Sequence, residues 1–168
     1  LLGNAPTNKP DPTIEGGVGR HYGGLDENDN SGILRYVRVE YAGIAAFPGS
    51  EINAFTFGGV GKGTVVDYCE AYYANDDAFE WFGGTVNCSH LVAVGTADDD
   101  YDFDFGYVGT VKYAISKRDP QFVDAGDAGS VHMAESGNDR QRGPSGRFCD
   151  RSCLRRHRSD DQPVAAYE

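Results

Sequence analysis

Two short acidic blocks are the best candidates for chemistry in this chain. Asp76 and Asp77 stand before one aromatic run, and Asp99 and Asp100 stand before the next, 23 residues further along. If the blocks lie on neighbouring strands, their carboxylates are within about 5 Å of each other. Each then raises the pKa of the other unless a cation lies between them, and oxygen ligands of this kind suit Ca²⁺. The sequence therefore predicts either a calcium site or a solvated stack of acidic turns.

A second oxygen-rich loop lies upstream of the acidic blocks. Asp26, Asn28 and Asn30 alternate along it and are further candidate calcium ligands. The spacing is not that of an EF-hand, because Gly32 falls one position late and position 12, counted from Asp26, is Val37. A turn held by Asx side chains accounts for the same residues. Both alternatives stay open at this point.

The acidic residues also suggest two enzymatic chemistries. A polysaccharide lyase would combine Ca²⁺ with a base such as Lys112, Lys117 or Arg118, and a glycoside hydrolase would need two carboxyl groups at a defined separation. Neither chemistry has a diagnostic motif here, so enzymatic activity remains open. The candidate catalytic residues are Asp77, Asp100, Asp102 and Lys112, with Glu80 as a partner of Asp102.

The segments that must position these residues repeat along the chain. Residues 34–42 align with residues 66–74 and 88–96, and a fourth, less similar copy runs through residues 111–115. Strand-and-turn units of roughly two dozen residues, separated by Gly-rich turns, predict a solenoid. No segment between them has the length or the 3.6-residue periodicity of a crossover helix. We therefore predict an all-β fold, a right-handed parallel β-helix.

Alternation of side chains predicts how the copies stack. Val37, Cys69 and Leu91 share one inward-facing position of the repeat, since apolar and polar residues alternate in a strand. Tyr36, Tyr68 and His90 share a position on the opposite face, where a tyrosine offers a surface for a sugar ring. The same register places two pairs of opposite charge side by side, Arg35 with Asp67 and Arg38 with Glu70.

Several motifs are similar to those of a family of bacterial secreted proteins. The acidic loop at 26–32 with the strand at 34–43, the aromatic segment at 79–87 and the acidic segment at 98–106 carry the resemblance, which covers about residues 1–135. The family consists of large right-handed parallel β-helix proteins of pectate-lyase-like shape, often lipoproteins or cargo of a type IX sorting system. The resemblance implies an extracellular or outer-surface location. It suggests a scaffold or glycan-binding module, or alternatively a calcium-dependent lyase or glycosidase, with extracellular polysaccharide as the partner.

Composition narrows the possible partners. The chain of 168 residues has a net charge of −11, so its surface repels nucleic acid and attracts divalent cations. No apolar run reaches the length of about 18 residues that a membrane span needs. The first residues resemble the end of a strand, and no export signal precedes them. We therefore expect a fragment whose further partners are the remaining turns of a parent solenoid.

The last 34 residues differ from the rest of the chain. Residues 1–134 contain 20 acidic and 8 basic residues, whereas residues 135–168 contain 6 acidic and 7 basic residues, all seven of them arginine. Strand alternation also stops there. We predict a β-helix fragment over residues 1–134 and, over residues 135–168, an Arg-rich tail that is either disordered or the product of a reading-frame shift near Asn138.

Overall fold

The computed structural model describes residues 1–47, 50–122 and 132–133. The predicted Arg-rich tail, residues 135–168, lies outside this described part. Among the described residues, none belongs to a helix that could cross a membrane. The strands are β1 (Ile33–Glu40), β2 (Ile44–Phe47), β3 (Ser50–Ile52), β4 (Phe55–Gly58), β5 (Val65–Tyr72), β6 (Phe79–Phe82), β7 (Asn87–Val94), β8 (Tyr101–Asp104), β9 (Val111–Lys117) and β10 (His132–Met133).

The strands form two parallel sheets around a shared core. The first sheet has the order β1-β5-β7-β9 and the second has the order β4-β6-β8-β10. From β4 to β10 the chain alternates between the sheets, so that each turn of the solenoid adds one strand to each of them. β2 and β3 form a separate antiparallel pair between β1 and β4. This architecture confirms the predicted all-β parallel β-helix.

The predicted register of the first sheet is confirmed. Val37 pairs with Cys69, and Cys69 pairs with Leu91. Leu91 in turn pairs with Ala114, so the fourth copy of the repeat is also a strand of this sheet. The first turn is 32 residues long instead of 22, because it contains the β2–β3 pair.

Both predicted charge pairs form in this register. The Nε atom of Arg35 lies 3.5 Å from Oδ2 of Asp67. The Nη1 atom of Arg38 lies 2.9 Å from Oε2 of Glu70. These contacts join neighbouring turns of the solenoid on the outer surface of the first sheet.

The predicted alignment of the two acidic blocks is wrong by one residue. Phe79 pairs with Tyr101 and Trp81 pairs with Phe103, so the offset is 22 residues and not 23. In this register Asp77 lies beside Asp99, and Asp100 lies one position further along, beside Ala78. The aromatic side chains decide the register, since a slip of one residue would turn every core side chain outwards.

Stacked aromatic rings fill the inner face of the second sheet. The ring centroids of Phe57 and Trp81 are 5.4 Å apart, and those of Trp81 and Phe103 are 4.7 Å apart. Tyr101 extends a second stack, and its hydroxyl donates a hydrogen bond of 2.8 Å to the carbonyl oxygen of Ile115 in the first sheet. The core therefore fixes both the distance and the register of the two sheets.

Candidate functional site

Glu80 and Asp102 lie on the outer face of the second sheet. They pair in neighbouring strands and alternate with the inward-facing aromatic residues. A side chain at such a position is ordinarily exposed to water. Yet Glu80 is only 5% exposed and Asp102 only 8% exposed. The rest of the chain must therefore cover this face.

The covering element is the N-terminal segment, residues 3–26. Ile14 and Tyr22 pack against Phe82 on the outer face of β6. The segment is also tied to the residue that follows β8, because the Asn8 amide donates to the carbonyl oxygen of Phe105 at 3.0 Å. A Cβ atom at Gly58 would lie 2.9 Å from the ring of Tyr22, so only glycine permits this close approach.

Beneath the segment, carboxyl groups from two strands and a loop converge. Oxygen atoms of Asp77, Glu80 and Asp102 all lie within 4.8 Å of one another, and all three residues are buried. Glu15, from the N-terminal segment, joins them through Asn53, whose Nδ2 atom donates to Glu15 Oε1 at 3.0 Å and to Glu80 Oε2. We call these five residues the carboxylate cluster. A neighbouring group of carboxylates, Asp76 and Asp98, shares Asp77 with it.

Burial makes the charged forms of these carboxyl groups unfavourable. Burial, with a further contribution from the Asp102 carboxylate, raises the pKa of Asp77 to about 9, although the Asp99 amide donates to Oδ1 of Asp77 at 2.9 Å. Burial and the charge of Glu15 raise the pKa of Glu80 well above its usual range. Burial likewise raises the pKa of Glu15. At neutral pH the cluster must therefore hold protons or a cation.

Asp100 has different neighbours. It is fully buried and bonded to the hydroxyl of Ser116, and its Oδ1 atom lies 3.5 Å from Nη1 of Arg118. Burial raises its pKa, and Ser116 and Arg118 partly offset that effect. The other candidate bases, Lys112 and Lys117, pair with Ser89 and Val94 in the first sheet. Asp102 and Lys112 therefore lie on different sheets, whereas Arg118 contacts one of the predicted acids, Asp100.

The residues of the upstream acidic loop form the turn that one of the two alternatives predicts. Oδ1 of Asp26 accepts a hydrogen bond from the Asn28 amide at 2.9 Å. Oδ1 of Asn30 accepts one from the Gly32 amide at 2.9 Å. Asp26, Asn28 and Asn30 are all exposed, and the buried acid of this loop is Asp29 between them.

Three residues at the cluster were not predicted from the sequence. Asn53 stands before Phe55 as Asp77 stands before Phe79, so an alignment on the aromatic pairs would have found it. Glu15 and Tyr22 belong to the N-terminal segment, which does not repeat. No sequence pattern connects them to strands that lie dozens of residues away.

The outer face of the first sheet has a different character. Tyr36, Tyr68, His90 and Tyr113 stack on one another from turn to turn, with ring centroids 4.9, 4.2 and 4.8 Å apart. All four have positive φ angles, between 53° and 57°. We call this row the aromatic ladder. A positive φ costs an L-residue about 1–2 kcal/mol, and stacking of about 0.5–1.5 kcal/mol per pair offsets part of that cost.

His90 also takes part in a polar network beside the aromatic ladder. Its Nδ1 atom lies 2.9 Å from Oδ1 of Asp67, and the Ser89 hydroxyl donates to the same oxygen at 2.8 Å. These hydrogen bonds, His90 first, lower the pKa of Asp67. The network is not a catalytic triad, because the serine bonds the aspartate and not the histidine.

The stacked sheets and their common register define a parallel β-helix protein. The family model described as pectate-lyase like beta helix domain matches residues 1–146, and the chain belongs to this family. Comparisons with curated proteins and with solved structures give no significant match. The resemblance seen in the sequence is therefore confirmed as far as the β-helix family, while bacterial secretion and sorting stay predictions.

Proposed function

We propose that the chain is part of an extracellular β-helix scaffold at the cell surface that binds polysaccharide through the outer face of its first sheet. The observation that supports this function is the exposed aromatic ladder, which runs along the solenoid axis at the spacing of the strands. Proteins of the pectate-lyase-like β-helix family are often extracellular. The candidate catalytic acids Asp77, Asp100 and Asp102 are by contrast buried.

The geometry of the aromatic ladder determines how a glycan would contact it. Stacking covers both ring faces of Tyr68 and His90, so the sugar platform expected at Tyr68 is not available. Tyr36 stands at one end of the described ladder, is 76% exposed, and has one ring face that no ring of the described residues covers. The ring edges present polar groups repeated about every 4.8 Å. Such a row suits an extended polymer lying along the axis, with one sugar stacked on Tyr36.

The test is retention of the protein by soluble polysaccharides in affinity electrophoresis. We expect a glycan that retards the wild type to retard Tyr36→Ala several-fold less. Tyr41→Ala is the matched control, because Tyr41 is 65% exposed on the same edge of the sheet but lies outside the ladder. The proposal fails if no neutral or acidic polysaccharide retards the protein, or if both variants lose retention equally.

One observation favours an enzyme instead. Glu80 and Asp102 pair in neighbouring strands, and burial raises the pKa of Glu80 well above its usual range. A glycoside hydrolase uses two such carboxyl groups, one of them with a raised pKa. Access to them would require the N-terminal segment to move away from the second sheet. A reducing-end assay on polysaccharides, with and without Ca²⁺, distinguishes the two functions. A scaffold gives no turnover, whereas turnover that Asp102→Asn abolishes would establish the hydrolase.

A further inference from the structure

Asp77 and Glu80 are the central acids of the carboxylate cluster. Within the described part of the chain, neither Asp77 nor Glu80 forms an ion pair with a lysine or arginine. Buried carboxylates are ordinarily paired with a base or coordinate a metal. A group of buried acids alone does not establish a ligand site, so other atoms around it are decisive.

Two uncharged oxygen atoms at the cluster are buried without a hydrogen-bond partner. They are Oδ1 of Asn53 and the hydroxyl of Tyr22, and each residue is 5% exposed. The amide nitrogen of Asn53 already donates to Glu15 and Glu80, which places this side chain inside the cluster. Burial raises the pKa of Tyr22, and the charges of Glu80, Asp104 and Glu15 add to this shift, so its hydroxyl lies within electrostatic range of the cluster. Unpaired buried oxygens are rare and indicate a missing water or ion.

The donor atoms point to a hard divalent cation. All of them are oxygens, from carboxyl groups and an amide, without the thiolate or imidazole that zinc or copper prefers. Oxygens that share one Ca²⁺ ion at 2.3–2.6 Å lie at most about 5 Å apart. The oxygens of Asp77, Glu80 and Asp102 meet that limit, since they lie within 4.8 Å of one another. Ca²⁺ also accepts irregular surroundings, whereas Mg²⁺ demands a near-ideal octahedron.

We propose that the carboxylate cluster binds one Ca²⁺ ion and that this ion fastens the N-terminal segment to the second sheet. Glu15 reaches the site from the segment, whereas Asp77, Glu80 and Asp102 belong to the solenoid turns. One ion held between them joins the two parts of the chain. The site differs from the calcium sites predicted from sequence, because Asp100 and the loop at 26–30 do not belong to it.

The experiment titrates the full chain with Ca²⁺ by calorimetry and follows tryptic cleavage after Arg20, an exposed residue of the N-terminal segment. We expect one Ca²⁺ ion to bind at roughly 1 mM or below and to slow cleavage after Arg20 at least tenfold. Glu80→Gln should weaken binding at least tenfold and remove the protection. Asp26→Asn is the matched control and should change neither, because Asp26 is exposed in the upstream loop.

Glu80→Gln replaces a carboxyl group with a neutral group of the same shape, so the metal-free variant should fold. Its thermal unfolding in a chelator checks this, and Asp77→Asn provides a second variant with the same expectation. The proposal is overturned if the wild type takes up no Ca²⁺ at that concentration or prefers Mg²⁺. It is also overturned if Asp26→Asn abolishes binding, or if binding leaves cleavage after Arg20 unchanged.

Discussion

Charged side chains are exposed on the outer face of the first sheet and buried on the outer face of the second. On the first sheet, acids and bases lie in the open and pair across turns, as Arg38 does with Glu70. On the second sheet, Glu80 and the neighbouring Asp77 are buried, and within the described part of the chain neither pairs with a lysine or arginine. The same strand repeat builds both faces, so the repeat does not cause the difference. The covering segment causes it.

The charged residues of the two sheets therefore have different effects on the stability of the fold. Exposed pairs cost little to form and specify register, whereas buried acids without bases destabilise a fold unless protons or a cation neutralise them. A face that keeps such acids is therefore a better candidate for a regulated site than one whose charges are already paired. The two faces should also respond to pH with opposite signs.

The largest expected effect concerns Asp77 in metal-free protein. Its pKa is raised from 3.8 to about 9 on folding, so the folded state holds a proton that the unfolded state has lost across that range. This contribution to stability is fully present below pH 3.8 and is lost as the pH rises towards 9. The slope is about 1.4 kcal/mol per pH unit, or about 4 kcal/mol between pH 5 and pH 8. Urea unfolding in a chelator across this range measures it.

The matched variant for this measurement is Asp77→Asn. The asparagine cannot ionise, so the contribution of Asp77 to the pH dependence of the free energy of unfolding should disappear. The contributions of Glu80 and Glu15, which have the same sign, should remain. If the wild type became more stable between pH 5 and pH 8, the buried cluster would not be protonated as the geometry requires.

A smaller effect is expected on the exposed face, at Tyr68 in the aromatic ladder. Tyr68→Ala removes two ring contacts at about 0.5–1.5 kcal/mol each and keeps the positive φ of 53°. Tyr68→Gly removes the same contacts but relieves the backbone strain, worth about 1–2 kcal/mol. We therefore expect the glycine variant to be the more stable of the two in thermal unfolding.

Val92 provides the control for the expected order of stability, in which glycine is more stable than alanine at position 68. It occupies an outer position of β7 and is not among the described residues with a positive φ angle. At such a position glycine should be less stable than alanine by about 0.5–1 kcal/mol. The same order at both positions would show that the positive φ of Tyr68 is not a source of strain.

Much of the first sheet could be predicted from the sequence. Three of its four strands are eight residues long and have apolar side chains at matched positions, as with Val37 and Cys69. Arg38 and Glu70 then fall together by spacing alone. An alignment of the two acidic blocks gives the wrong register for the second sheet. Their aspartates match at an offset of 23 residues, whereas Phe79 and Trp81 pair with Tyr101 and Phe103 at an offset of 22.

The carboxylate cluster could be predicted only in part. The sequence indicates Asp77, Glu80 and Asp102, because they stand before or within the repeated aromatic runs. Their burial depends on Ile14 and Tyr22, which lie in a segment without periodicity. Long-range packing of a non-repeating segment leaves no local signal, so neither the cover nor the contribution of Glu15 could be foreseen.

The smallest expected effect tests the opposite sign of the pH response, at Asp67 on the exposed face. Hydrogen bonds from His90 and Ser89 and the charge of Arg35 lower the pKa of Asp67. The stability this provides is present above the ordinary aspartate pKa of 3.8 and is lost as the pH falls through the lower value in the folded protein.

His90→Phe keeps a flat ring in the aromatic ladder but removes the Nδ1 contact, so the pKa of Asp67, measured by carbon NMR, should rise. Ser89→Ala should raise it less, since the hydrogen bond from His90 is the larger cause. If the pKa of Asp67 is unchanged in His90→Phe, stacking alone holds His90 in place. The Asp67–His90 pair would then not give the exposed face a pH response opposite to that of the buried cluster.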